Sequence, residues 1–198
     1  MTKIGVDLIQ KLRNMTGLGM MDCKKALVET EGDVEKAVDL LRKKGAAVAA
    51  KRGDKETKAG LVYAYIHPGS QVGVMVEINC ETDFVARTED VQELAKDLCM
   101  HIAAIKPLYL EPSDMDPKFL EHEKEIFTDQ LKEAGKPEGV IAKILVGKVQ
   151  KLYKDVCLIE QPFVKNDKLT VAQKVEEVIG KVGEKIKIKK FARFEVGL

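Results

Sequence analysis

Ile4, Leu8, Ile9 and Leu12 recur at helical spacing, and the stripe breaks at Thr16-Gly17-Leu18-Gly19. Cys23, Ala26 and Leu27 mark a second helix, closed by Gly32. Val34, Ala37, Val38, Leu40 and Leu41 mark a third, which opens on Asp33 as N-cap and is expected to stop at Gly45. Three helices this short bury little, so residues 1–45 predict a small module of modest stability. Beyond it the apolar period fades. Between Arg42 and Lys58, seven basic residues (Arg42, Lys43, Lys44, Lys51, Arg52, Lys55, Lys58) meet only Asp54 and Glu56, and residues 46–58 read as a basic linker, helical or frayed.

Residues 59–198 change period. Leu61–Ile66 and Val72–Ile78 flank His67-Pro68-Gly69-Ser70-Gln71, the pattern of a β-hairpin. Both alternate faces of the first run are apolar: Leu61, Tyr63 and Tyr65 on one, Val62, Ala64 and Ile66 on the other. A sheet covered by helices on one face has no need of that, so something must cover the second face. Val91, Leu94, Ala95, Leu98, Ile102 and Ile105 form a strong helical stripe, with Thr88 as its cap and Pro107 as its end. Asp116-Pro117 opens a helical hairpin over about 117–154. Its outgoing stripe is Phe119, Leu120, Ile126, Phe127 and Leu131; its break is Ala134–Gly139; its return stripe is Ile141, Ile144, Leu145, Val149 and Leu152. So short a loop makes the two helices antiparallel. Pro162 and Asn166-Asp167 argue for extended chain and a turn. Thr170 and Gln173 then form a capping box for a helix ending at Gly183. Last, Ile186, Ile188, Ala192, Phe194 and Val196 alternate with Lys187, Lys189, Arg193 and Glu195, a third strand polar on one side. The predicted class is α+β: an N-terminal three-helix module, then a three-stranded antiparallel sheet packed with helices and carrying a projecting antiparallel hairpin.

A composition of 45% hydrophobic and 33% charged residues excludes general disorder. No apolar run reaches the ~20 residues of a membrane span. Lys3, Asp7, Lys11 and Arg13 interrupt the N-terminal apolar positions, so no signal peptide is expected and the compartment reads as cytosolic. Cys23, Cys80, Cys99 and Cys157 are scattered without paired ligands, which predicts free, mostly buried thiols and no metal. His67, His101 and His122 lie far apart with no triad neighbour, so each reads as structural or surface, and no catalytic residue is expected. Gly17-Leu18-Gly19 lacks the strand and the further glycines of a phosphate loop, so no nucleotide cofactor is expected. A net charge of +1 argues against general attraction to nucleic acid. An RNA-associated accessory protein using Arg42–Lys58 stays open as an alternative. A cysteine enzyme using Cys80 is disfavoured, because the neighbouring Glu81 and Asp83 raise a thiol's pKa.

Two apolar features resist a core assignment. Met20-Met21 sit in a loop or first helical turn, where methionine makes soft, adaptable contacts; one of them is also a reasonable core filler. Asp83-Phe84 occupies a strand-to-helix hinge in "NCETDFVAR", where turn chemistry favours small polar residues. Phe84 is either a plug beneath the following helix or an exposed contact for another protein.

"TGLGMMDCKKAL" (Thr16–Leu27), "GDVEKAV" (Gly32–Val38), "NCETDFVAR" (Asn79–Arg87), "MHIAAIKP" (Met100–Pro107), "QPFVKNDK" and "RFEVG" closely resemble bacterial elongation factor Ts, in the family's order and over nearly the whole chain. The resemblance implies a ubiquitin-associated-like module at 1–45 and a guanine nucleotide exchange factor for the GTPase elongation factor Tu. It implies that Arg13, Met20 and Met21, with Lys24 a weaker candidate, grip a helix of the partner. It implies that Asp83 and Phe84, within a wider motif containing Thr82 and Val85, intrude near the partner's magnesium and phosphate site. His67 matches a hairpin histidine that touches the partner's third domain. Longer family members place the Thr-Asp-Phe motif and the histidine hairpin in two core halves. Here one half carries both, as in the short form of the family, which works as a homodimer in a two-plus-two complex. Membrane and direct nucleic-acid partners are not expected.

Overall fold

The computed structural model describes residues 4–197; Lys3, one of the charges noted above, lies outside them. The chain divides into two compact units. The first comprises Met1–Val62, Glu77–Ala95 and Gln173–Lys189, and the second Tyr63–Val76, Lys96–Ala172 and Lys190–Leu198.

In the first unit, helices α1 (Val6–Thr16), α2 (Met20–Glu29) and α3 (Val34–Lys51) enclose a small core of Ile9, Leu12, Cys23, Ala26, Leu27, Ala37 and Leu41. Leu18, rather than either methionine of the loop, packs against it. Gly17 ends α1 in the left-handed conformation (φ 68°), its N–H bonded to the Arg13 carbonyl at 2.7 Å. Asp33 caps α3 by accepting from the Lys36 N–H at 3.1 Å. Contrary to expectation, α3 does not stop at Gly45. Helix α8 (Val171–Val182) passes so close that a Cβ on Gly180 would stand 2.9 Å from the Gly45 Cα. Gly45 is therefore a close-approach residue inside a helix, and the seven residues beyond Lys44 are helical as far as Lys51.

The sheet has strand order β1 (Ala59–Ile66), β2 (Val72–Cys80), β5 (Ile186–Glu195) and is antiparallel, as expected. Helix α5 (Glu89–Ile105) covers one face: Cys99 Sγ lies 3.7 Å from the Tyr63 carbonyl oxygen, and Arg193 donates to the Ala103 carbonyl at 3.3–3.4 Å. The alternation of β5 is not clean. Ile186 and Ile188 are buried, Lys189 and Lys190 are both exposed, and from Phe191 the parity is reversed. Ala192, Phe194 and Val196 are exposed, while Arg193 and Glu195 are partly covered.

In the second unit α6 (Pro117–Glu133) and α7 (Glu138–Val156) form the antiparallel hairpin, with Leu131, Ile141 and Val149 buried. The stretch read as extended chain and turn pairs with itself: β3 (Pro162–Phe163) and β4 (Asn166–Thr170) form a second, two-stranded antiparallel sheet.

His101 holds this hairpin. It is fully buried, its Nδ1 accepts from the Val164 N–H at 3.2 Å, and Nε2 lies 2.8 Å from Gln161 Oε1. With Nδ1 accepting, Nε2 carries the proton and donates to Gln161. Burial depresses the His101 pKa, against a smaller upward effect of the Gln161 bond. The unfolded chain thus binds more protons below the ordinary histidine value. The contribution of His101 to stability is complete above about pH 6.5 and declines below it, by up to about 1.4 kcal/mol per pH unit. Denaturant unfolding at several pH values from 7.5 to 5 is expected to show this slope in the wild type and a flatter one in His101→Gln. Equal slopes would contradict it.

Candidate functional site

Cys80 ends β2 fully buried, and two residues later the chain turns into α4 (Asp83–Ala86), a single helical turn. A helix this short does not hold itself together, because nucleation costs more than one turn of hydrogen bonds returns. Thr82 caps it, with its side-chain oxygen 3.4 Å from the Val85 N–H. Ala86 is buried beneath the turn and Val85 half-buried. Phe84, at the second position of that turn, is 78% exposed. The ring is therefore not the plug beneath the following helix; it is exposed. Asp83 beside it is exposed and pairs with Arg87 at 3.0 Å, an i,i+4 surface pair worth a few tenths of a kcal/mol.

The residues before the turn are held tightly. Glu81 accepts from the Lys185 N–H at 2.7 Å and from Arg52 Nη1 at 2.8 and 3.1 Å. The Lys185 amide, and then Arg52, hold its carboxyl below the usual range, against a smaller upward effect of burial. The Lys185 ammonium donates to the carbonyls of Gly53 and Lys55, just beyond α3. Arg52, Gly53 and Lys55, within the stretch read as a basic linker, are thus engaged in the fold. Just before that stretch, Arg42 pairs with Glu177 and Lys44 with Glu29. The Cys80 thiol is pushed up to about 11, by burial first and then by Glu184, rather than by the neighbouring Glu81 and Asp83. All four cysteines are free and buried.

The same compact unit carries the other apolar feature. Gly19 caps α2, and Met20 and Met21 open it, 36% and 62% exposed. Neither fills the core. Arg13 and Lys24 are exposed on the adjoining turns of α1 and α2. Met15, in the last turn of α1, is also exposed, and nothing in the apolar period singled it out. His67 belongs to the second unit. It opens the β1–β2 turn, exposed, with Nδ1 3.0 Å from the Tyr65 hydroxyl and the rings edge to face. Among the described residues no cluster of His, Cys, Asp and Glu is arranged to hold a metal, and no helix is long and apolar enough to cross a membrane.

A second exposed surface lies on the sheet face opposite α5. Ile66, Met75, Phe194 and Val196 are exposed there, with Ala64 and Ala192 between them. Ile66 lies across Gly73, where a Cβ would stand 3.1 Å from its Cδ1. This is the open apolar face that the doubly apolar first strand predicted.

Comparison with known proteins gives the class first: the similar proteins are translation elongation factors. The profile described as Elongation factor TS matches residues 8–198. The protein named Elongation factor Ts in Desulfosudis oleivorans is 50% identical over all of both chains. That of Geotalea uraniireducens is 52% identical over 96% of this chain and 88% of its own. That of Thermosipho melanesiensis is 48% identical over 98% of this chain and 99% of its own. This chain belongs to the elongation factor Ts family.

Proposed function

We propose that this protein binds elongation factor Tu in its GDP form and promotes GDP release, by pressing exposed apolar side chains against it. The observation that carries the reading is Phe84: a phenyl ring held exposed on a braced turn is available for burial against another protein. Burying such a ring is worth about 1.5–3 kcal/mol. If the ring fits only when the partner's phosphate-binding elements have shifted, it favours the shifted state. GDP and this protein then weaken each other's binding by equal factors. Asp83 adds a carboxylate that competes for the partner's magnesium. Met20 and Met21, with Arg13 and Lys24, grip a partner helix through a ubiquitin-associated-like module at residues 1–45, joined by the 46–58 segment to the core. No bond is made or broken, and no cofactor or metal is required of this chain.

The reading includes a homodimer. The open sheet face with Ile66, Met75 and Phe194 is what a second copy covers, and His67 and Phe84 on one partner molecule then come from different chains. The α6–α7 hairpin serves as a coiled-coil arm. Elongation factor Tu loaded with fluorescent GDP tests the reading. Its release rate is expected to rise with the concentration of this protein and then saturate. A rate independent of that concentration overturns it.

A further inference from the structure

We propose that Glu184 is a positioning residue for the exchange turn, acting through Thr82 on the direction of Phe84. The inference rests on the exchange reading above.

Phe84 is mostly exposed, so its direction is set chiefly by the backbone of residues 82–85. That backbone is one helical turn, and its N-cap side chain accepts from the Val85 N–H. Glu184 governs the cap. Its carboxylate accepts from the Thr82 N–H at 3.0 Å and from the Thr82 hydroxyl at 2.9 and 3.1 Å. A hydroxyl has one proton and two lone pairs. With the proton committed to Glu184, the lone pairs are the part left to face the Val85 N–H. Glu184 therefore orients the cap as well as anchoring the chain entering it. Charge-assisted bonds of this kind are the strong ones.

The anchor is itself fixed. Glu184 lies between Gly183, which ends α8 in the left-handed conformation, and Lys185, whose N–H and ammonium are bonded to Glu81 and to the carbonyls beyond α3. Three residues earlier, Lys181 pairs with Asp90 at 3.5 Å, and its ammonium lies 2.6 Å from where a Cβ on Gly17 would stand. One short segment thus touches the turn bearing Phe84 and the turn leading to Met20-Met21, all within one compact unit. If the two apolar contacts act on one partner, their spacing matters, and this segment sets it. A ring displaced by an ångström can cost about a hundredfold in rate.

The test uses the full chain and elongation factor Tu loaded with fluorescent GDP. Glu184→Ala and Thr82→Val are each expected to lower the saturating release rate at least about tenfold, while Thr82→Ser, which keeps the hydroxyl, retains it. Half-saturating concentration is expected to change much less, because the methionine grip is untouched. Arg42→Ala, which breaks the Arg42–Glu177 pair in the same unit, serves as a stability control with full activity. In a Phe84→Ala background Glu184→Ala is expected to add nothing, since residues acting through one another are not additive. A fully active Glu184→Ala, or losses in Glu184→Ala and Phe84→Ala that simply multiply, overturns the positioning role. So does a loss that only tracks reduced thermal stability and that Arg42→Ala shares when destabilised to the same degree. Should Glu184→Ala not fold, Glu184→Gln, which keeps the shape and one acceptor, and Thr82→Val decide the matter by the same criteria. A wild type that does not accelerate release, or an unimpaired Phe84→Ala, refutes the exchange reading instead.

Discussion

Replacing Phe84 with alanine is expected to remove most of the GDP-release activity and leave the fold's stability unchanged. The two halves of that expectation have one cause. A side chain 78% exposed contributes little to its own fold, and surface substitutions of this kind usually stay within about 0.5 kcal/mol. Interface anchors of its type cost about 2 kcal/mol or more on truncation, or roughly thirtyfold in affinity for the state they favour. Since Phe84 is proposed to favour the shifted partner over the GDP-bound one, the loss falls on the rate of release more than on initial binding. Stopped-flow release with thermal unfolding of the variant measures both. An active variant, or one that loses activity only by unfolding, rules out the ring as the lever. Asp83→Ala is the milder companion, because its pairing with Arg87 is solvent-exposed and weak.

Phe194→Glu is expected to convert a dimer to a monomer. Phe194 is 68% exposed on β5, and Ile66 is 63% exposed on β1, with β2 between the two strands. In a two-fold interface each substitution occurs twice. Losing two buried rings removes about 3–6 kcal/mol of apolar burial, and two unpaired carboxylates must also be desolvated. A dimer of ordinary size, burying on the order of 1,600 Å², does not survive such a loss at micromolar concentration. Light scattering across a concentration series reads the mass directly. If the contact sets come from different chains, GDP release falls with the dimer. A wild type monomeric at all concentrations with full activity sinks the dimer. A variant that is monomeric yet fully active separates the dimer from exchange.

Much of this was legible in the residues. Apolar spacing alone located the helices around Leu12, Leu27 and Leu41, the strong stripe from Val91 to Ile102, and the helical hairpin. The doubly apolar run Leu61–Ile66 announced an apolar second face, and the phenyl ring at a hinge left plug and exposed contact both open. These features are local: each follows from side-chain period or turn chemistry within a few residues. Where the local signal was ambiguous, the reading failed. Gly45 resembles a helix stop, yet it is glycine because α8 needs room against α3, and the partner glycine lies far along the chain at Gly180. The final strand alternates on paper, yet its burial changes parity at Lys189-Lys190, leaving Phe194 exposed and Arg193 partly covered. Which face is covered depends on the elements packed there, which no single strand records.

The amino-acid sequence by itself determined most of the elements and singled out the two apolar motifs at Met20-Met21 and Phe84. Tertiary structure decided which of those motifs face solvent and what holds them there. Glu184 reaches Thr82 across a separation of 102 residues, and Arg52 reaches Glu81 across 29. No periodicity spans such distances. Those bonds exist because the end of α3, the end of β2 and the turn after α8 are brought to one place by the packing of the elements, and only there do their charges find each other.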